Sequence, residues 1–260
     1  MAGSTYGKIF QITTWGESHG PALGVVVDGC PAGLSLSSDD IQAYLDRRKP
    51  GQTKIATPRK ENDAVDILSG VFEGKTTGTP ISMMVRNTSQ RSSDYSEIAN
   101  YYRPGHADYT FDAKYGFRDY RGGGRSSGRE TVGRVAAGAV AAKLLLEFGI
   151  SLSAYTVSIG PIKIDRNKFD LNTARTTSTG MPDPDASAAA EAYLAACMHD
   201  YDSSGGVIEC VIDGVPAGLG DPVFEKLDAN LSKAVMSIGA VKAVEIGDGT
   251  AVSAGLGSQN

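Results

Sequence analysis

The strongest constraint on the fold of this chain is a ten-residue motif that occurs twice. The stretch VVVDGCPAGL covers residues 25–34, and CVIDGVPAGL covers residues 210–219. In each copy an apolar, strand-like run leads into the same D-G-x-P-A-G-L turn, and a segment with capping residues and helical spacing follows. The duplication predicts two strand-turn-helix units and a pseudo-symmetric architecture.

The segments around this repeat predict a mixture of strands and helices. Apolar and β-branched runs are typical of strands, and they cover residues 65–73, 79–86, 155–164 and 205–213. Because strands and helices do not alternate strictly, the sequence favours an α+β layered sandwich.

Two further helices are predicted from composition and spacing. Residues 130–149 are Ala-rich, and Gly149 is the expected C-cap. Gly133 and Gly138 leave this segment little side-chain bulk, so we expect it to be central and closely packed. A peripheral helix is expected over residues 186–200.

Composition limits the class of protein. With 260 residues, of which 41% are hydrophobic, the chain fits a soluble globular protein. Its net charge of -5 argues against a nucleic-acid-binding surface, and no export signal or membrane span is visible. The odd number of cysteines without CxxC spacing predicts neither a disulfide framework nor a metal site and favours the cytoplasm.

A Gly-rich stretch, DYRGGGRSSGRET at residues 119–131, precedes the central helix. A loop of this kind exposes backbone N–H groups at the positive end of a helix, and the serine hydroxyls add donors. Arginine adds a planar fork that binds phosphate or carboxylate through two hydrogen bonds. The stretch therefore predicts an anion site, with a tight structural turn as the alternative.

Other nucleotide motifs do not fit. The Gly-rich stretch lacks the G-x-G-x-x-G spacing and later acidic residue of a dinucleotide site. GVFEGKT at residues 70–76 is one residue too short for a Walker A loop. GESHG at residues 16–20 has the form of a serine-hydrolase elbow, but PALGVVVDG after it does not predict the required helix.

A second basic segment and two loop histidines point to the same chemistry. Residues 47–60 contain six Lys and Arg residues and no acidic residue, which fits an anion site or a solvated face. His19 and His106 lie beside glycines in predicted loops, where they are placed to exchange protons, whereas His199 is expected to be a surface residue. A noncatalytic anion-binding module would leave both loop histidines without a role.

Three long blocks carry a resemblance to a known family. They cover residues 16–33, 103–139 and 213–249, beginning GESHGPALG, RPGHADYTF and DGVPAGLGD. Together they closely resemble the chorismate synthase family, and the likeness runs from residue 1 to the end. It implies a lyase that eliminates phosphate in a 1,4-anti sense from 5-enolpyruvylshikimate 3-phosphate, giving chorismate in the shikimate pathway. It also implies dependence on reduced FMN without net redox change, and an association with NADP.

The resemblance also implies site residues by position. His19 matches the histidine that protonates or stabilises the reduced flavin, and His106 matches the one that gives a proton to the departing phosphate. Lys54 stands where the family often has Arg, so it keeps the charge and loses the fork. The implied substrate contacts are Ser18, Arg48, Lys54, Arg103 and Arg125. The implied FMN contacts are Arg125, Ser126, Ser127, Gly239 and Ala240.

Finally, the resemblance implies an overall architecture. Family members are β-α-β sandwiches in which antiparallel sheets flank a helical layer, and they are usually cytoplasmic homotetramers. They continue into a C-terminal segment with further FMN contacts, a substrate arginine and a proton-relaying aspartate. We therefore expect residues 1–260 to be a single domain that is truncated at its C-terminus, acting on a small molecule and receiving reduced flavin from elsewhere.

Overall fold

The computed structural model describes residues 3–51, 61–88 and 97–259. Its first seven strands come from the N-terminal third of the chain. They are β1 (Thr5–Tyr6), β2 (Gln11–Gly16), β3 (Ala22–Asp28), β4 (Val65–Ile67), β5 (Val71–Phe72), β6 (Lys75–Thr76) and β7 (Ile81–Arg86). Five of them form an antiparallel sheet in the order β1-β2-β3-β7-β4, while β5 and β6 pair separately.

A second antiparallel sheet forms later in the chain. Its strands are β8 (Ser151–Ile159), β9 (Ile162–Lys163) and β10 (Gly206–Asp213), in the order β10-β8-β9. A small hairpin joins β11 (Gly220–Asp221) to β12 (Glu225–Lys226). The predicted strand at 65–73 is thus divided into two short strands, and the one predicted at 155–164 begins four residues earlier.

Five α-helices accompany the sheets. They are α1 (Ser38–Arg48), α2 (Asp108–Tyr115), α3 (Thr131–Leu146), α4 (Pro184–His199) and α5 (Leu227–Met236). α1 begins at a capping box, in which the Ser37 side chain accepts from the Asp40 N–H and the Asp40 side chain accepts from the Ser37 N–H. α4 begins at Asp183, whose carboxylate accepts from two backbone N–H groups, and most of α4 is exposed as predicted.

α3 packs against β3 of the first sheet, and it also contacts β8 of the second sheet, into which it leads through a short turn. Val132 and Val140 are fully buried. A Cβ on Gly133 would lie 3.0 Å from the carbonyl oxygen of Gly24, so the predicted close approach occurs there. It does not occur at Gly138, where a Cβ would meet nothing within 4 Å. Antiparallel sheets with a central helix confirm the predicted α+β sandwich.

The end of α3 is closed by the predicted glycine. The last regular helical turn ends at Glu147, because Phe148 and Gly149 bond to carbonyls only three residues back. Gly149 has a φ of 72°, and the Ile150 N–H donates to the carbonyl oxygen of Leu145. This is the bonding pattern of a helix that ends in a left-handed glycine.

The predicted repeat is present. β3 and α1 belong to the first unit, and β10 and α5 to the second. The turn glycines Gly29 and Gly214 have φ angles of 76° and 78°. A Cβ on Gly29 would lie 1.8 Å from the carbonyl oxygen of Ile9, and a Cβ on Gly214 would lie 2.1 Å from that of Gly149. Each turn therefore packs on the backbone that leads into the neighbouring strand, and this contact requires glycine.

The turns of the two repeat units differ in how far they are buried. Cys30 and Leu34 of the first turn are 3% and 7% exposed, whereas their counterparts Val215 and Leu219 are 39% and 51% exposed. The main hydrophobic core contains β3, β7, α1 and α3, and a smaller cluster forms under α4. Within the described residues, no helix has the length and apolar character needed to cross a membrane.

Candidate active site

The GESHG segment is the loop of a β-hairpin between β2 and β3. Gly16 ends β2 with a φ of 89°, and the next strand begins at Ala22. Ser18 and His19 are 1% and 7% exposed. A strand follows the loop, so the strand-to-helix turn that a serine-hydrolase nucleophile requires is not formed here.

Ser18 fixes the protonation pattern of His19. The Ser18 hydroxyl donates to the carbonyl oxygen of Gly122 over 3.1 Å, and its Oγ lies 3.2 Å from Nδ1 of His19. Since a hydroxyl has one hydrogen, Oγ can only accept from the ring. We therefore assign the hydrogen of neutral His19 to Nδ1.

The Gly-rich stretch crosses directly over this loop. Gly122, Gly123 and Gly124 have φ angles of 62°, 83° and 52°, in the region that favours glycine. Two 3-10 turns, Gly124–Ser126 and Gly128–Glu130, then lead into α3. The N–H groups of Ser126 and Glu130 donate to carbonyls within the stretch, at 2.9 and 3.0 Å. The sequence predicted exposed N–H groups where this loop runs into the helix, but the N–H groups of Ser126, Ser127 and Glu130 are used by the 3-10 turns.

Arg125 fastens the stretch to β2. Its guanidinium donates to the hydroxyl of Thr14 at 2.7 Å and to the carbonyl oxygens of Thr14 and Gly16 at 3.3 and 3.2 Å. The Ser126 hydroxyl donates to the carbonyl oxygen of Gly123, and the Ser127 hydroxyl accepts from the Arg129 N–H. The Arg125 guanidinium thus donates to one side-chain hydroxyl and two backbone carbonyls of β2.

Arg103 and His106 lie on the segment that begins α2. The Arg103 guanidinium donates to both carboxylate oxygens of Asp108, at 2.8 and 2.9 Å. These bonds lower the pKa of Asp108 to about 2. Nδ1 of the exposed His106 lies 3.1 Å from the carbonyl oxygen of Pro104, so Nδ1 carries a hydrogen.

This segment adjoins the Gly-rich stretch. A Cβ on Gly123 would lie 3.7 Å from Nη2 of Arg103. Burial raises the pKa of Asp119, but hydrogen bonds from Arg121 and the charge of His19 outweigh it and lower the pKa overall. An ionised carboxylate therefore lies close enough to interact with the charge of His19.

Arg48 lies at the end of α1 and faces the start of α3. Its Nε donates to the hydroxyl of Thr131 at 3.2 Å, and its Nη1 lies 2.9 Å from Oδ2 of Asp63. The other oxygen of Asp63 lies 2.6 Å from Nη1 of Arg129. One carboxylate thus faces two guanidinium groups, which leaves this cluster with a net positive charge suited to an anion.

Among the residues that the structure describes, no hydrogen bond joins the remaining predicted residues to the His19 loop. Gly239 and Ala240 follow α5, and Ala240 has a φ of 70°. Arg134 of α3 donates to the hydroxyl and carbonyl oxygens of Ser237, which holds the end of α5 near α3. Lys54 lies outside the described residues.

The sequence alone missed three residues of this site. Asp63, Asn87 and Arg129 were not singled out as site residues, although each is hydrogen-bonded or ion-paired to a segment that was. An open cleft of about 480 Å³ between Leu219 and Leu227 contains none of the predicted site residues. Within the described residues, no cluster of His, Cys, Asp and Glu could hold a metal ion.

Comparison with known proteins decides the family. The sequence model of the chorismate synthase family matches residues 10–260. The chain belongs to the chorismate synthase family. Its resemblance to that family and its class as a lyase, both inferred from sequence, are thereby confirmed.

Individual chorismate synthases match over the whole of this chain. The enzyme of Lachnoclostridium phytofermentans is 68% identical over 260 residues, covering 100% of this chain and 71% of that protein. That of Agathobacter rectalis is 66% identical with the same coverage. A chorismate synthase crystal structure aligns with a TM-score of 0.80 at 34% identity, covering 97% of this chain and 73% of that one.

Proposed function

We propose that the chain catalyses the 1,4-anti elimination of phosphate from 5-enolpyruvylshikimate 3-phosphate to give chorismate, with reduced FMN and no net redox change. In this reaction the C–O bond to the phosphate and one ring C–H bond break, and a C=C bond forms. The observation that carries the proposal is the buried Ser18–His19 loop beneath the Gly-rich stretch, with Arg125 bonded to Gly16 at its start and Arg103 next to Gly123.

The residues present fit FMN. The left-handed Gly122, Gly123 and Gly124 allow the stretch to fold over the His19 loop, which brings that histidine and the approach to α3 into one region. Nη2 of Arg129 is buried and has no hydrogen-bond partner among residues 3–51, 61–88 and 97–259, which suits a site for an anionic ligand. The FMN contacts that we propose are Arg125, Ser126, Ser127, Gly239 and Ala240.

The chemistry that reduced FMN supplies when bound is transient electron density for the C–O bond that breaks. His19 would hold a proton at Nε2 and so balance the negative charge of the reduced cofactor. Its ring is held still by Ser18 and Gly122, which limits the reorganisation needed during reaction.

The phosphate and carboxylates of the substrate require several cationic partners. We propose Ser18, Arg48, Lys54, Arg103 and Arg125 as its contacts. Arginine binds such groups through two parallel hydrogen bonds, which orients the substrate as well as attracting it. Asp63 and Asp108 hold Arg48 and Arg103 in place through the ion pairs described above.

His106 neutralises the leaving phosphate. With Nδ1 bonded to the carbonyl oxygen of Pro104, the protonated ring donates from Nε2. A proton given at this atom removes charge from the departing oxygen, and such general acids typically contribute about 100-fold or more.

The experiment is an anaerobic mixture of the protein, dithionite-reduced FMN and the substrate. Phosphate release and chorismate absorbance are followed together, with oxidised FMN as the matched control. Equal amounts of both products with reduced FMN only are expected. If FMN and substrate bind but neither product forms, the chain is a noncatalytic anion-binding module and the proposal fails.

We also infer that residues 1–260 form one chorismate-synthase-like domain. We infer that the protein is a homotetramer and that it is cytoplasmic. The contact of α3 with both sheets supports a single domain. Exposed apolar side chains on β10 and α5, such as Ile208 and Met236, support self-association. Light scattering of the purified protein should give about four times the mass of the 27.2 kDa chain.

A further inference from the structure

Asn87, which directly follows β7, holds both ends of the His19 loop. Its Nδ2 donates to the carbonyl oxygens of Glu17 and Gly20, at 3.0 and 2.8 Å. Its backbone N–H donates to the carbonyl oxygen of Pro21 at 3.1 Å. One residue from a distant part of the chain thus makes three hydrogen bonds to the segment that carries His19.

Arg129 orients the amide of Asn87. Its Nε donates to Oδ1 of Asn87 at 3.1 Å, and its side chain is 4% exposed. Because Oδ1 accepts this bond, the NH2 group must face the loop. The amide orientation, and with it the position of the loop, therefore depends on an arginine at the start of α3.

Asp63 connects Arg129 to Arg48. Its side chain is fully buried, with one oxygen 2.6 Å from Nη1 of Arg129 and the other 2.9 Å from Nη1 of Arg48. It has a φ of 48°, which is uncommon for a residue with a side chain. Removing one member of such a buried pair leaves an uncompensated charge, so the arrangement is rigid.

We propose that Asp63, Arg129 and Asn87 form a positioning unit that fixes the His19 loop relative to Arg48. The unit joins five parts of the fold, namely α1, the segment before β4, the end of β7, the 3-10 turn before α3 and the β2–β3 loop. Reactive groups must be held within a fraction of an ångström of their productive geometry, and buried partners provide this. The assignment rests on the function proposed above only in the roles given to His19 and Arg48.

The test uses Asn87→Asp in the unliganded protein. This change keeps an oxygen for Arg129 and removes both donors to the loop. Diethyl pyrocarbonate modifies accessible imidazoles, and the chain has three histidines, of which His106 and His199 are exposed and serve as internal references. Peptide mass spectrometry measures the rate at which each histidine is modified. In Asn87→Asp we expect His19 to be modified about tenfold faster, relative to His106 and His199, than in the original protein. The control is Asn230→Asp, since Asn230 also donates twice through Nδ2 but lies in α5.

Amide hydrogen exchange separates local opening from general destabilisation. The Gly20 N–H, which donates to the carbonyl oxygen of Glu17, should exchange faster in Asn87→Asp, while the amides of β7 should not. Arg129→Lys keeps a charge facing Asp63 and loses the bond to Asn87, so it should show the same pattern at about threefold. If Asn87→Asp does not fold, the Arg129→Lys variant provides the test of the positioning unit.

Two results would overturn the assignment. One is an unchanged rate of His19 modification in both variants. The other is faster exchange at Gly20 and in β7 to the same extent, which would make the three residues ordinary supports of the core. Neither measurement uses substrate or flavin, so a failure of the proposed reaction would leave these outcomes readable.

Discussion

A Cβ atom on Gly122 would lie 2.1 Å from Nδ1 of His19. The imidazole therefore occupies space that exists only because residue 122 has no side chain. Gly122 also supplies the carbonyl oxygen that orients the Ser18 hydroxyl. The backbone of Gly122 and the side chain of Ser18 thus hold the His19 ring in one position.

Gly122→Ala should displace His19. The new methyl group overlaps the ring, and the φ of 62° is unfavourable for alanine, so we expect a loss of about 2–3 kcal/mol in the free energy of unfolding. Urea unfolding measures this loss, and NMR of the His19 ring reports the displacement. Gly128→Ala in the same stretch is the control, because a Cβ there meets nothing within 4 Å. Equal stability of the two variants would contradict the prediction.

Ser18→Ala should change the tautomer of His19. Without the Oγ acceptor, the neutral ring loses the partner that holds hydrogen on Nδ1. Nitrogen-15 NMR distinguishes the two tautomers, and we expect the Nδ1–H form to fall from dominant to a mixture. Ser69→Ala removes an exposed serine that donates to the Pro80 carbonyl and should leave the His19 signals unchanged. A dominant Nδ1–H form in Ser18→Ala would show that another group sets the tautomer.

His106→Gln should lower turnover by about 100-fold with little effect on folding, because the ring is exposed and acts as a proton donor. The anaerobic assay with reduced FMN measures kcat. His199→Gln, at the exposed end of α4, should stay within about twofold of the original rate. A loss of only two- or threefold in His106→Gln would count against its role as an acid.

Stability should depend on pH through Asp108. Its pKa of about 2 lies below the roughly 3.9 of an unfolded aspartate. The ionised carboxylate therefore stabilises the fold above about pH 4, and this contribution is lost as the pH falls toward 2. At pH 7 we expect Asp108→Asn to be less stable by on the order of 2 kcal/mol, with the difference falling to less than half of that at pH 2.5.

Urea unfolding at the two pH values checks this dependence. Asp66→Asn is the matched control, since the Asp66 side chain is largely exposed and lies 3.9 Å from Arg86. Exposed pairs contribute little, so its effect should be small at both pH values. A difference for Asp108→Asn that is the same at pH 7 and pH 2.5 would rule out the carboxylate charge as the cause.

Local patterns predicted much of the fold. The repeated turn around Gly29 and Gly214 identified both units, because its conformation depends on glycines that are visible in the sequence. The central helix was predicted for the same reason, since its spacing and small residues are local properties. These features need no knowledge of distant contacts.

The site was less predictable, because its contacts join distant parts of the chain. Asn87 and Glu17 are 70 residues apart, and Arg129 and Asn87 are 42 apart. No spacing in the sequence indicates such partners. Arg125 illustrates the same limit, since its fork was expected to face an anion and in the structure donates to the end of β2.

Because the first repeat unit is more deeply buried than the second, the two units should differ in their tendency to aggregate. The second unit carries apolar side chains at the surface, with Ile208 73% and Phe224 88% exposed. Within the described sheet, β10 has a neighbouring strand on one side only. Exposed apolar edge strands are sites at which β-sheet proteins aggregate. In chains that have separated from the proposed tetramer, precipitation should therefore begin at the second unit, while the first, with the same turn sequence, stays in the interior and takes no part.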